Sequence, residues 1–202
     1  PLGVISGFLQ MLGAEMAPHM TARNQEQVDA IKEGVNRIDK ITRDILTLER
    51  ISSGQEMMAD RVDIRQIVAT AFEDARSQAV LKQHDYHLEL PDEPLLVRGD
   101  RFLLPETVAN LITNAIKYTP EGGQVTVRLM VENQQVVFTV QDSGYGIPAD
   151  QQSRLFQPFY RVKLKETRLI KGTGLGLHLV KNVIERHNGQ MRFQSEYGKG
   201  ST

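Results

Sequence analysis

The segment NLITNAIKY, residues 110–118, sets two amides and an ammonium on one side of a helix. At about 100° per residue, Asn110, Asn114 and Lys117 share one arc with Tyr118 at its edge, and Val108, Ile112, Ala115 and Ile116 lie opposite. Asparagine is a poor interior helix former, so two of them one turn apart ask for a reason beyond propensity. An amide oxygen can ligate Mg²⁺ beside phosphate oxygens, because Mg²⁺ takes few protein ligands and keeps its waters. A lysine can meet a phosphate charge. A solvated polar face would use the same residues.

Two glycine-rich segments follow. DSGYGIP, residues 142–148, comes directly after a strand-like run, and Gly144 and Gly146 allow a planar ligand close to the backbone. Asp142 can accept from an exocyclic amine. Adenine carries one at that edge where guanine carries a carbonyl, so one carboxylate can discriminate between them. GTGLGL, residues 172–177, opens a helix whose free N–H groups favour anions. It is not a dinucleotide fingerprint: no strand leads directly into it, and no βαβ unit with an acidic residue follows. Between the two segments, Arg161, Lys163, Lys165, Arg168 and Lys171 accompany the single acid Glu166. A mobile basic segment over a phosphate site acts as a lid, and a solvated loop has the same composition.

The elements that must hold these residues fall into two regions. Up to about residue 53 the pattern predicts two helices. Leu2, Ile5, Leu9, Leu12 and Met16 form one stripe of the first, with Val4, Phe8 and Met11 beside it. The second begins near Asn24 and carries Val28, Ile31, Val35, Ile38, Ile41, Ile45 and Leu48. AEMAPHMTAR between them reads as a hairpin turn. A lone hairpin cannot bury both stripes of its first helix, so pairing of two copies as a four-helix bundle is expected, against packing on the chain's own second domain. From about Arg61 the pattern alternates. A helix over 64–81 precedes runs at 87–90, 95–98, 124–131 and 135–142, with helices near 102–117 and 175–187 and a last strand near 190–195. This predicts an α/β sandwich with helices on one sheet face.

Composition adds boundaries. The 202 residues carry a net charge of −1, 40% hydrophobic residues and no cysteine. That describes an ordinary globular chain, gives no global electrostatic reason for nucleic acid, and excludes disulfides and thiolate metal sites. No apolar run approaches the roughly 18 residues of a membrane span, so no membrane contact is expected of this piece.

In order, NLITNAIKY, DSGYGIP, LFQPFYR and GTGLGL resemble the N, G1, F and G2 boxes of sensor histidine kinases, and the preceding hairpin resembles that family's dimerisation and phosphotransfer domain. The resemblance implies an α+β chain with a helical hairpin over 1–53 forming a dimeric four-helix bundle, a linker over 54–60, and a Bergerat-type ATP-binding α/β sandwich over 61–202. It implies ATP and Mg²⁺, with Asn114 as metal ligand. The nucleotide would meet Asn110, Lys117, Tyr118, Asp142, Gly144, Gly146, Ile147, Tyr160, Arg161, Gly172, Thr173, Gly174, Leu175, Gly176 and Leu177. Lys171 stands where a glycine is frequent, which predicts an altered lid hinge. The family's H box ends in the Pro-Leu that opens this chain, so the phosphoaccepting histidine is expected upstream of Pro1; GKGST resembles the approach to a final strand beyond Thr202.

His19 lies in the hairpin turn, His84 and His87 in a loop before a strand, and His178 and His187 on the helix after GTGLGL. Each reads as structural or solvated, with a positive charge welcome at His187 in the last turn. No His/Asp/Glu cluster has metal-site spacing. The resemblance implies a cytoplasmic protein-histidine kinase core that homodimerises, autophosphorylates and passes the phosphoryl group to the receiver domain of a response regulator. Its parent's membrane attachment stays open. Two alternatives remain: a nucleotide-binding regulator without enzymatic activity, and an ATPase of the kind shared by gyrase and Hsp90.

Overall fold

The computed structural model describes residues 2–16, 20–53 and 60–202, and the chain divides into two units, Pro1–Glu49 and Arg50–Thr202. In the first lie α1 (Leu2–Met16) and most of α2 (Ala22–Ser52). Thr21 caps α2: its Oγ1 accepts from Asn24 N at 3.2 Å, and its carbonyl accepts from Gln25 N at 3.0 Å. The helices thus run closer together in sequence than the predicted turn. His19 and part of that turn fall outside the described residues. Val4, Ile5, Phe8, Met11 and Leu12 on α1 and Ile31, Ile38, Ile45 and Leu46 on α2 are exposed.

The second unit begins with β1 (Asp60–Asp63) and α3 (Ile64–Leu81). Asp63 caps α3, its Oδ1 accepting from Arg65 N and from Leu95 N at 3.1 Å each. Then follow β2 (Asp85–Glu89), β3 (Leu96–Gly99), α4 (Leu103–Tyr118), β4 (Gln124–Glu132), β5 (Gln135–Asp142), α5 (Ala149–Gln152), α6 (Gly176–Arg186), β6 (Ser195–Glu196) and β7 (Gly200–Ser201). The main sheet has the order β2-β4-β5-β7-β6, parallel only between β2 and β4. β1 and β3 form a separate antiparallel ribbon.

Period-two alternation sends Val125, Val127 and Leu129 of β4 into the core, against the α3 stripe Val68, Phe72, Ala75 and Ala79 and the α4 stripe Val108, Ile112, Ala115 and Ile116. Phe72 stacks on Tyr86 with ring centroids 3.9 Å apart, and burial pushes the Tyr86 phenol above its usual range. The expected α+β arrangement, helices first and a helix-covered sheet after, is the one observed.

Two expected strands need correction, and two short elements were not foreseen. The strand near 190–195 is instead a short hairpin of β6 and β7. Its Tyr197–Lys199 turn, with Gly198 at φ 83°, sets the register, so only Gln194 reaches across, exchanging backbone bonds with Thr202 at 2.9 and 2.8 Å. The strand expected over 87–90 is β2 and starts at Asp85, because its parallel register begins at Asp85 opposite Gln124; His87 is therefore a strand residue, not a loop residue. β1 and α5 carry too few residues to show a period.

Candidate functional site

The apolar stripe of α4 is committed to the core, so the opposite arc meets the glycine-rich stretch entering α6. A Cβ on Gly176 would stand 3.4 Å from Asn110 Oδ1. One on Gly172 would stand 3.1 Å from Lys117 Nζ, 3.9 Å from Tyr118 Oη and 4.0 Å from Arg161 Nε. Asn110 Nδ2 and Arg161 Nε are buried donors without a hydrogen-bond partner among the described residues. Such a group costs about 1–3 kcal/mol unless something accepts from it. Arg161 Nη2 donates to Ile170 O, which ties the two ends of the basic segment together. Asn114 is half-buried on α4 and its side chain makes no hydrogen bond among the described residues. Leu177 lies half-buried in the first turn of α6, and Leu175, just before it, is fully buried. Thr173 Oγ1 accepts from Leu175 N at 3.2 Å, shaping the entry to α6.

Asp142 ends β5. Its Oδ1 accepts from Gly144 N at 2.8 Å and Ser201 N at 3.2 Å, which leaves Oδ2 for a further donor. Burial raises its carboxyl pKa above the ordinary value, and these two N–H groups oppose the rise. Tyr145 N donates to Tyr118 O at 3.2 Å, fastening this turn to the end of α4. Gly146 has φ 64° and lies against the Glu196 carbonyl, so a side chain there meets both strain and collision. Ile147 O accepts from Gln152 Nε2 at 2.9 Å. A cleft of about 310 Å³ beside Asp142 is lined by Ser195, Glu196 and Gly200. A groove of about 580 Å³ between α3 and α4 holds none of these site residues.

The basic segment is fastened at several points. Gly174 has φ 76°, and its missing Cβ would stand 2.7–2.9 Å from the backbone of Phe159. Gln151 Oε1 accepts from Lys163 N at 2.9 Å and Tyr160 Oη at 3.3 Å. Tyr197 Oη donates to Glu166 Oε1 at 3.2 Å. His178 Nδ1 lies 2.9 Å from Phe156 O, joining α6 to the LFQPFYR stretch. Gln151 and Tyr197 carry no motif signal; neither is adjacent in sequence to what it holds.

The other histidines are engaged too. His84 Nε2 contacts Pro120 O at 3.0 Å, and His87 pairs with Asp85. His187 corrects the expectation of a welcome positive charge: Nε2 accepts from Asp100 N at 2.9 Å, so that nitrogen carries no proton and the ring is neutral. No group of His, Cys, Asp and Glu able to hold a metal occurs among the described residues. No described helix is long and apolar enough to cross a membrane.

A helix-covered mixed sheet with two glycine segments gathered against the C-terminal half of an amide-bearing helix is the arrangement of an ATPase-type α/β domain. The family model described as histidine kinase-, DNA gyrase B- and HSP90-like ATPase matches residues 99–202, and the His kinase A (phospho-acceptor) domain model matches residues 1–54. The probable sensor histidine kinase TcrY of Mycobacterium tuberculosis is 34% identical over 201 residues, 98% of this chain and 41% of that protein. The histidine protein kinase DivJ of Caulobacter vibrioides is 33% identical over 203 residues, 100% of this chain and 34% of that protein. Among solved structures, mycobacterial sensor histidine kinase MprB matches with a TM-score of 0.60 and 28% identity, over 71% of this chain and 92% of that one. Full-length ShkA in complex with AMPPNP shares the fold, with a TM-score of 0.73 at 24% identity over 99% of this chain and 43% of that one. The chain belongs to the sensor histidine kinases of two-component systems, with a His kinase A region followed by an ATPase domain. It spans about two fifths of TcrY and a third of DivJ.

Proposed function

We propose that this chain is a kinase core that binds Mg-ATP and delivers its γ-phosphate to a histidine, and that a response-regulator receiver aspartate then takes the phosphoryl group. The observation that carries this is the pair of unpartnered buried donors, Asn110 Nδ2 and Arg161 Nε, beside the Gly172–Gly176 stretch where Lys117 also stands. Donors gathered around bare glycine backbone suit an anionic phosphate chain. Asp142 Oδ2 accepts from the adenine amine, and Tyr118 and Ile147 border the base-side turn. Tyr160, Thr173, Leu175 and Leu177 hold the two ends of the basic segment in register. The residues fit a metal as well: Asn114 offers an unengaged amide oxygen and would hold Mg²⁺, which supplies charge neutralisation on the phosphates. Lys117 and Arg161 stabilise charge on the transferring group in a loose transition state.

None of the four described histidines lies on the helices of the region matched by the His kinase A (phospho-acceptor) domain model, residues 1–54; all four sit in the ATPase-type domain. The acceptor in this reading is none of these four. We take residues 1–53 as the dimerisation hairpin, 54–60 as linker and 61–202 as the ATP-binding domain. The exposed apolar rows on α1 and α2 support pairing of two copies as a four-helix bundle in a cytoplasmic protein. Calorimetric titration with Mg-ATP tests the reading; no heat at any temperature overturns it. Incubation with γ-labelled ATP tests the acceptor assignment, which acid-labile, base-stable label on any of these four histidines would refute. Steady phosphate release over many turnovers would favour an ATPase instead. Binding without transfer to any histidine would favour a nucleotide-binding regulator.

A further inference from the structure

We infer that Lys82 is a positioning residue of the nucleotide site: it holds the last turn of α4 so that Lys117 faces the Gly172 stretch. This rests on the nucleotide reading above. A helix C-terminus leaves its last four carbonyls without intrahelical partners, and α4 ends at Tyr118 with no glycine to cap it. Every carbonyl there is nonetheless taken. Ala115 O receives Thr119 N at 3.1 Å and Thr119 Oγ1 at 2.7 Å. Lys82 Nζ donates to Ile116 O, Lys117 O and Thr119 O, each at 2.9 Å. Tyr118 O receives Tyr145 N from the turn that follows Asp142. The three hydrogens of one ammonium therefore close the end of a helix more than thirty residues away in sequence.

Lys82 is itself anchored. Its N–H caps α3 on Gln78 O at 3.3 Å and its carbonyl accepts from Gly122 N at 2.9 Å. Beside it, Gln83 Nε2 donates to Glu121 Oε1 at 2.6 Å and His84 contacts Pro120 O at 3.0 Å. Partial desolvation pushes the Lys82 pKa down, in keeping with an ammonium drawn in among carbonyls. The apolar stripe through Ile112 and Ile116 fixes the axis of α4. It leaves the final residues Lys117 and Tyr118 on the other side, and Lys117 is the one that reaches Gly172. The turn that carries them is what the ammonium holds.

The test is a cycle on the full chain, titrating Mg-ATP and adenosine into the unsubstituted protein, Lys82→Met, Lys117→Met and the double variant. Lys82→Met is expected to weaken Mg-ATP about tenfold, a change of roughly 1.4 kcal/mol, with adenosine changed less than about twofold. On top of Lys117→Met it is expected to add nothing. Equal weakening of ATP and adenosine, or full additivity with Lys117→Met, overturns the inference, since a general loss of stability would act on both ligands and independently of Lys117. Should Lys82→Met fail to melt cooperatively, the cycle is run with Lys82→Gln, which keeps two donors without the charge, and the same two patterns decide. Absence of ATP binding by the unsubstituted chain overturns the underlying nucleotide reading instead.

Discussion

His187 Nε2 accepts the backbone N–H of Asp100 at 2.9 Å, and the Asp100 carboxylate in turn receives Phe102 N at 2.8 Å and Leu103 N at 3.0 Å. One neutral imidazole thus joins the C-terminal end of α6 to the N-terminal turn of α4, the helix that carries Asn110, Asn114, Lys117 and Tyr118. Gly99 is part of the same seat: a Cβ there would stand 2.9 Å from the ring. Removing the ring as His187→Ala leaves the Asp100 N–H without its partner. The expected cost is about 1–3 kcal/mol of unfolding free energy in a urea titration. His187→Gln, which offers an amide oxygen, should recover part of it. Equal midpoints for all three proteins would show that the bond contributes nothing.

Asp142 predicts a conflict between stability and binding. Its folded-state pKa is raised, chiefly by burial, so the folded domain holds the proton more tightly than the unfolded chain. That contribution is full below the unfolded value of about 3.9 and is lost as pH rises through the raised folded value. Asp142→Asn should therefore melt higher than the unsubstituted domain at pH 7 without nucleotide, with the gap closing toward pH 4. In the variant the amide oxygen takes over the Gly144 and Ser201 bonds and turns its NH₂ toward the adenine amine. Donor then meets donor, and ATP affinity should fall about 10- to 100-fold. For the unsubstituted protein ATP affinity should drop as pH falls through the same ionisation, and the variant should lack that limb. Calorimetry across pH checks both.

How much of this was legible beforehand varies by kind of interaction. α3 was readable end to end because its apolar stripe is short-range and lies within its own residues. The glycine turns were readable because bare backbone near a ligand or a carbonyl requires the absence of a side chain, as at Gly146 and Gly174. Strand ends were not, since the start of β2 is set by Gln124, far along the chain. Lys82, Gln151, Tyr197 and the His187–Asp100 bond were invisible for the same reason. Each acts on a segment remote in sequence, and nothing in its own neighbourhood marks it.

Gly174 and Gly198 share a left-handed backbone, φ 76° and 83°, but differ in surroundings. A Cβ at Gly198 would meet nothing within 4 Å, whereas one at Gly174 would press on the backbone of Phe159. Both alanine variants carry the φ penalty of about 1–2 kcal/mol. Only Gly174→Ala must also part the GTGLGL and LFQPFYR stretches. It should cost at least about 1 kcal/mol more than Gly198→Ala and weaken Mg-ATP several-fold, while Gly198→Ala leaves binding unchanged. Thermal melts and titrations of both, side by side, separate strain from collision.

Asn110 supplies the sharpest separation of function from stability. Its Nδ2 is buried and unpartnered in the nucleotide-free domain, on a helix whose other face is packed. An unmatched buried amide destabilises by about 1–3 kcal/mol, and asparagine is itself a weaker helix former than leucine by about half a kcal/mol. Asn110→Leu removes both penalties, so the free domain should unfold at equal or higher urea concentration. The same substitution takes a donor from the phosphate side, where Gly176 leaves the backbone bare, and Mg-ATP binding should weaken at least about tenfold. A residue kept for packing would do the reverse, losing stability on substitution and leaving affinity alone. Urea midpoints and calorimetric titrations on the same two preparations decide between these outcomes.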